Sequence, residues 1–181
     1  MKDSIKMFVT VSLWIAIVLF VLRCIIAKHT ELYDILRYAS ESIGVTVILM
    51  GLYERFAWKF NPFEKTPRIS GSYSGIIEYV YNGKQENKNT NIKILQSLLS
   101  VNVKISTDEI TSNTIASNII TENGDAVLYY TYITNPKSKY SRDNPIQYGT
   151  CRLIIDGKNE LKGTYWTSRQ TIGDLILKRI I

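Results

Sequence analysis

Leu161-Lys-Gly-Thr-Tyr-Trp-Thr-Ser-Arg-Gln-Thr-Ile-Gly-Asp174 is the stretch on which the reading of this chain turns. Its β-branched and aromatic residues read as a strand finishing near Thr167, a short polar turn, and a second strand starting near Thr171. Alternate side chains of an extended chain share a face. Tyr165, Thr167, Arg169 and Thr171 then line one side if the turn keeps register, and Thr164, Trp166 and Ser168 form the opposite one. The first face is too polar for a dry core. Arg169 can grip an anion by two parallel hydrogen bonds, and Tyr165 offers a ring on which a base can stack. A surface hairpin with a solvated Arg169 is the plainer alternative. Spacing alone leaves open which face turns inward.

Working outward, residues 66–181 show no amphipathic helix. Short alternating runs predict strands near Ile69–Tyr81, Asn89–Gln96, Leu99–Thr107, Thr111–Ile119, Ala126–Thr134, Ile146–Ile155, Glu160–Thr167 and Thr171–Ile180. Asn82-Gly83, Asn123-Gly124 and Asp156-Gly157 are hairpin turns, because these residues tolerate the positive φ such turns require. Asn135-Pro136 opens a longer loop that runs through Asn144-Pro145. Eight strands joined mainly by hairpins predict an antiparallel sheet, closed most simply as a small up-and-down, lipocalin-like barrel, with an open sandwich as the alternative. Nine of the twelve tyrosines follow Pro67, and Tyr129-Tyr-Thr-Tyr132 puts rings on both faces of one strand. Tyr130 and Tyr132 share a face. With Arg169 they can build a pocket that stacks bases and clamps a phosphate; wall packing is the bland alternative.

Residues 1–65 differ sharply. Met7 to Ala27 is apolar over the length needed to cross a hydrocarbon core of about 30 Å as a helix. A cleaved signal peptide is disfavoured, since Ile25 stands where a small residue is wanted. A polar loop, Lys28 to Asp34, precedes a second candidate span, Ile35 to Trp58, whose uncharged centre runs only from Ser42 to Tyr53. Snorkelling ends, with Tyr53, Phe56 and Trp58 as an interfacial belt, let it span. Arg37 and Glu41 lie one helical turn apart and can neutralise each other. Together with Glu54 they are candidates for contacts within the membrane or between protomers, against the plainer reading that they mark the membrane edge. Positive charge is heavier beside the termini (Lys2, Lys6, Arg55, Lys59, Lys65, Arg68) than beside the loop, so both termini and the barrel domain are expected in the cytoplasm.

Several chemistries are poorly supplied. His29, in the loop between spans, is the only histidine, so the β region has neither a Ser-His-Asp triad nor a histidine-bearing zinc site. Cys24 and Cys151 fall in different regions and should not pair. There is no Gly-rich phosphate loop, and no metal, cofactor or catalysis is expected. The net charge of +6 is dispersed, which suits a small anion or anionic lipid and is too weak for a DNA or RNA polymer.

Taken together, the two spans, Ile92-Lys-Ile-Leu-Gln96, the Val103–Thr107 strand, Tyr129-Tyr-Thr-Tyr132 with Asn135-Pro136, Gly149-Thr150 with Leu153, and Gly-x-Tyr-Trp-Thr-x-Arg-x-Thr-x-Gly from Gly163 to Gly173 carry a family resemblance. The chain resembles the two-transmembrane, β-strand-rich effectors of bacterial cyclic-oligonucleotide anti-phage signalling (CBASS). One departure is Ser97-Leu-Leu-Ser100, where the resemblance implies an aromatic residue. The resemblance implies a barrel that binds a cyclic dinucleotide made by a partner nucleotidyltransferase. It also implies that binding drives self-assembly of the spans and disrupts the inner membrane, killing the infected cell. Tyr130, Tyr132, Tyr165, Thr167, Arg169 and Thr171 are the expected ligand contacts. A membrane-tethered carrier of an apolar molecule and a structural scaffold with a filled barrel are the rival readings. An inward Tyr165/Thr167/Arg169 register speaks for the nucleotide.

Overall fold

The computed structural model describes residues 2–27, 31–81, 84–157 and 159–180, so the Asn82-Gly83 turn and His29 lie outside the described residues. The chain forms two compact units, Met1–Glu64 with Ser97–Leu99, and Lys65–Gln96 with Ser100–Ile181.

The first unit holds helices α1 (Lys2–Ala27) and α2 (Leu32–Arg55), both long and apolar enough to cross a membrane. Helix α2 starts three residues before the expected Ile35, behind an extended Glu31, and Asp34 in its first turn suits the positive end of the helix dipole. It stops at Arg55, and Ala57–Phe60 continues as a 3₁₀ turn. Trp58 in that turn is fully buried, so it is not the interfacial anchor the sequence implied, whereas Phe56 is exposed. The buried stripe of α2 is Tyr38, Ser42, Thr46 and Met50, one residue per turn. Small hydroxyl residues there let helices approach closely, and the Thr46 hydroxyl spends its proton on the Ser42 carbonyl at 2.8 Å. Glu41 accepts from Arg23 at 3.1 Å and lies 3.8 Å from Arg37, which also pairs with Asp34 at 3.3 Å. Both guanidinium groups stand over the Tyr38 ring. Glu54 accepts from the backbone instead: its carbonyl from Leu98 N–H and its carboxylate from Leu99 N–H, at 3.0 and 3.4 Å.

The second unit is a closed barrel of eight antiparallel strands in chain order: β1 (Gly71–Tyr81), β2 (Lys84–Gln96), β3 (Val101–Ser106), β4 (Ile110–Glu122), β5 (Asp125–Pro136), β6 (Tyr148–Asp156), β7 (Glu160–Thr167) and β8 (Ile172–Arg179). Closure removes the exposed edges that the alternative sandwich would leave. Strand β2 shows the rule that builds it: Thr90, Ile92, Ile94 and Gln96 are buried while their neighbours face solvent. At the β4–β5 turn, Asn123 and Gly124 have φ of 50° and 95°, the positive pair of a type I′ hairpin. Strand β5 continues through Asn135 and Pro136, which the sequence had assigned to the following loop; that loop is the stretch from Lys137 to Gln147.

Two features shape the interior. One end is filled by a core including Ile69, Ile92, Ile94, Val101, Val103, Leu128, Leu153, Leu161 and Leu177. The segment leading into β1 seals that end. Gln96 accepts from Ile69 N–H and donates to the Pro67 carbonyl, both at 2.8 Å, Tyr73 donates to the Ile69 carbonyl, and Arg179 donates to that of Ser70. The second feature is a seam. Backbone pairing of β3 with β4 covers only Lys104–Ser106, because β4 bulges between Thr114 and Ala116. Beyond it, side chains replace the ladder. The Thr114 hydroxyl bridges Val103 N–H and C=O at 2.9 and 3.0 Å, and the Ser117 hydroxyl does the same for Val101 at 3.2 and 2.6 Å.

Candidate functional site

Toward the other end the barrel is hollow, with a cavity of about 580 Å³, inside the range of roughly 300–1,000 Å³ usual for small-molecule sites. Its walls come from β1, β2, β3, β4, β5, β7 and β8. Its rim comes from the β3–β4 turn, the β5–β6 connection and the β7–β8 turn.

Tyr130, Tyr132, Tyr165, Thr167, Arg169 and Thr171 all line this cavity. The β7 register accounts for two of them, Tyr165 and Thr167: with Leu161 and Gly163 they are turned in, whereas Thr164 and Trp166 face out. The turn preserves the parity. Thr167 N–H donates to the Thr171 carbonyl at 3.0 Å around a three-residue loop, whose last member, Gln170, takes the left-handed φ of 61°. Arg169, at the apex, is exposed; its Nη1 donates to the Asp143 carbonyl at 3.2 Å, and its backbone N–H to the Thr167 hydroxyl at 3.3 Å.

The tyrosines are seated by glycines across the sheet. Tyr132 pairs with Gly149 and Tyr165 with Gly173. A Cβ on Gly149 would run into the Tyr132 phenol, and one on Gly173 would come within 2.6 Å of the Tyr165 ring. Each ring therefore lies over bare backbone. Tyr130 and Tyr132 meet at a centroid distance of 5.8 Å and a tilt of 44°. Burial pushes all three phenols upward: Tyr130 well above its usual value, Tyr165 to about 12, and Tyr132 in the same direction. Burial likewise raises the Cys151 thiol, beside Tyr130, to about 12. All four groups stay protonated near neutrality, so the floor of the cavity is uncharged.

Charge sits nearer the rim. Lys88 and Arg169 are the cations among the described lining residues, facing Glu86, Glu109 and Asp143. Lys88 is tied to Glu109 at 2.7 Å, and Glu86 accepts from Tyr79 at 3.0 Å. Arg169 makes no ion pair among the described residues. Lys88 and Ser112 went unnoticed at the level of sequence, and Glu109 reads there as a solvated turn carboxylate. Parity held the signal for the first: once Ile92 and Ile94 point inward, so must Lys88.

Fold and cavity define a small-ligand receptor of the closed-barrel class, in a chain that also carries two membrane-length helices. The family model described as "Cap15, cyclic dinucleotide receptor domain" matches residues 64–179. The chain is also 40% identical over 183 residues to "CD-NTase-associated protein 15" of Staphylococcus schleiferi, covering 99% of this chain and all of the relative. This chain belongs to the Cap15 cyclic dinucleotide receptor family.

Proposed function

We propose that this chain is a CBASS effector that holds a cyclic dinucleotide in its barrel cavity. The observation that carries the reading is the meeting of three tyrosine rings and Arg169 around one hollow. A cyclic dinucleotide has two bases and two phosphates, and so asks for stacking faces with few cations. Arg169 takes a phosphate through its planar fork, Tyr130, Tyr132 and Tyr165 stack, and Thr167 and Thr171 supply hydroxyls. An apolar cargo would want a wall made mainly of Leu, Ile and Phe, whereas the described lining mixes a few aliphatic residues with tyrosines, hydroxyls and charged groups, and the barrel domain has no Phe. The partner that makes the ligand is a cognate nucleotidyltransferase, in keeping with the name of the Staphylococcus relative.

In this reading the helices span the bacterial inner membrane with both termini cytoplasmic, and ligand drives homo-oligomer assembly and membrane disruption. No enzymatic step is needed. Arg37, Glu41 and Glu54 are the polar positions through which protomers or lipid would be engaged. Ligand shifts assembly only by preferring the assembled state, and a swing from 1% to 99% needs roughly ten-thousand-fold preference.

The test is titration of the full chain in detergent with cyclic dinucleotides, beside Arg169→Ala. We expect saturable binding that the substitution weakens about ten- to a hundredfold, with the melting temperature kept. Unchanged affinity would remove Arg169 from the site. Toxicity that persists after replacing residues 1–65 with a soluble tag would remove the membrane mechanism.

A further inference from the structure

Two hydroxyls in the cavity wall have no hydrogen-bond partner among the described residues: Ser112 Oγ on β4 and Tyr130 Oη on β5. Their residues are 3% and 2% exposed, and both line the cavity. Folded proteins leave few buried polar atoms unpaired, and those they leave ask for a guest or an ordered water. The polar neighbours of the Tyr130 hydroxyl are the Cys151 thiol, whose sulfur is a poor acceptor, and the Tyr132 phenol. Ser112 is flanked across the strands by Ile105 and Thr134, and the Thr134 hydroxyl is already engaged with Gln147.

The cavity is thus graded. Charged Lys88, Glu109 and Arg169 belong to its rim, while the buried part offers aromatic faces and two neutral hydroxyls, each able to donate and accept. A guest with an anionic frame and a neutral heteroaromatic group fits in one orientation only. Resting on the function proposed above, we propose that the ligand enters base first, and that Ser112 and Tyr130 read the hydrogen-bonding edge of that base. Arg169 then holds phosphate and is indifferent to base identity, whereas the hydroxyl pair sets base preference. Tyr130 contributes more than a stacking face, and Ser112 is a specificity-determining residue.

The experiment measures the affinity of the full chain in detergent for cyclic di-AMP, cyclic di-GMP, cyclic di-UMP and mixed cyclic GMP–AMP. Wild type is compared with Ser112→Ala, Tyr130→Phe and Arg169→Ala, with thermal melting as the check on folding. Ser112→Ala and Tyr130→Phe are expected to cost about three- to tenfold against the preferred ligand and less against the others, flattening the ranking. Arg169→Ala should weaken all four together. Tight binding with an unaltered ranking in both hydroxyl variants would overturn the inference, as would a uniform loss across the four ligands. If Tyr130→Phe fails to fold, Ser112→Ala decides alone. Wild type that binds none of the four overturns the function proposed above instead, and the inference falls with it.

Discussion

Gly149 and Gly173 carry no chemistry, yet they set where two cavity rings lie. Gly173→Ala would push its new methyl against the Glu78 carbonyl and the Tyr165 ring. Backbone cannot yield there, so the ring must. We expect a loss of about 1–3 kcal/mol in stability, read by urea unfolding, together with weakened ligand binding. Full affinity in that variant would show that the Tyr165 ring position does not matter. A second prediction concerns the turn. Arg169→Lys should regain only part of what Arg169→Ala loses, because an ammonium is a point charge without the planar fork; isothermal titration of both variants tests it. At this scale the sequence was partly legible. Strict alternation carried Tyr165, Thr167 and Arg169 to one face, but pairing of the rings with glycines depends on register between strands that no local pattern encodes. Ser112 escaped for a related reason: a serine among the hydroxyl residues of β4 looks like any other until its neighbours are known.

At the scale of elements, the strands were legible where side chains alternate between core and solvent, as in β2 and β3. Strand β4 was harder. Ile110 to Glu122 mixes hydroxyls with aliphatics, and its bulge, which leaves Ile115 exposed, reverses parity midway. The hydroxyl-bridged seam follows from that bulge, since Thr114 and Ser117 stand where backbone partners would otherwise be. Combining Thr114→Val with Ser117→Ala keeps the approximate shape and strips four β3 backbone groups of their partners. That should cost at least about 2 kcal/mol and leave an edge open to pairing with another chain. A lowered melting temperature with concentration-dependent association by light scattering is the expected result; a monodisperse variant of unaltered stability would mean the seam is held by something else. Among the helices, α2 was read three residues late because Asp34, which reads as the end of the polar loop, sits in its first turn, where a carboxylate favours the helix.

For the whole molecule, the buried phenols and thiol make a prediction about alkali. Tyr130, Tyr132, Tyr165 and Cys151 have folded pKa values above the ordinary 10.0 and 9.0, chiefly through burial. Their contribution is complete below about pH 9. Above it the unfolded chain sheds protons that the barrel retains, so stability must fall as pH climbs toward about 12. Urea midpoints at about pH 8, 9.5 and 11 should decline in that order, and Tyr165→Phe should lessen the decline. A flat profile would mean the phenols are wetter than the fold implies. The two apolar spans and the barrel's closure were legible because bilayer thickness and edge protection are global demands that composition must meet. Cavity depth was not, since it reflects which end the core happens to fill.

Gln96 ends β2 and, with one amide, fastens the strap of residues 67–69 by a donated and an accepted bond. A strap held at two points on the last residue of a strand has little slack. A shift of the barrel wall at Gln96 therefore carries the Pro67 carbonyl and the Ile69 amide with it, so the plug at this end of the vessel moves as one piece with the rim of β2.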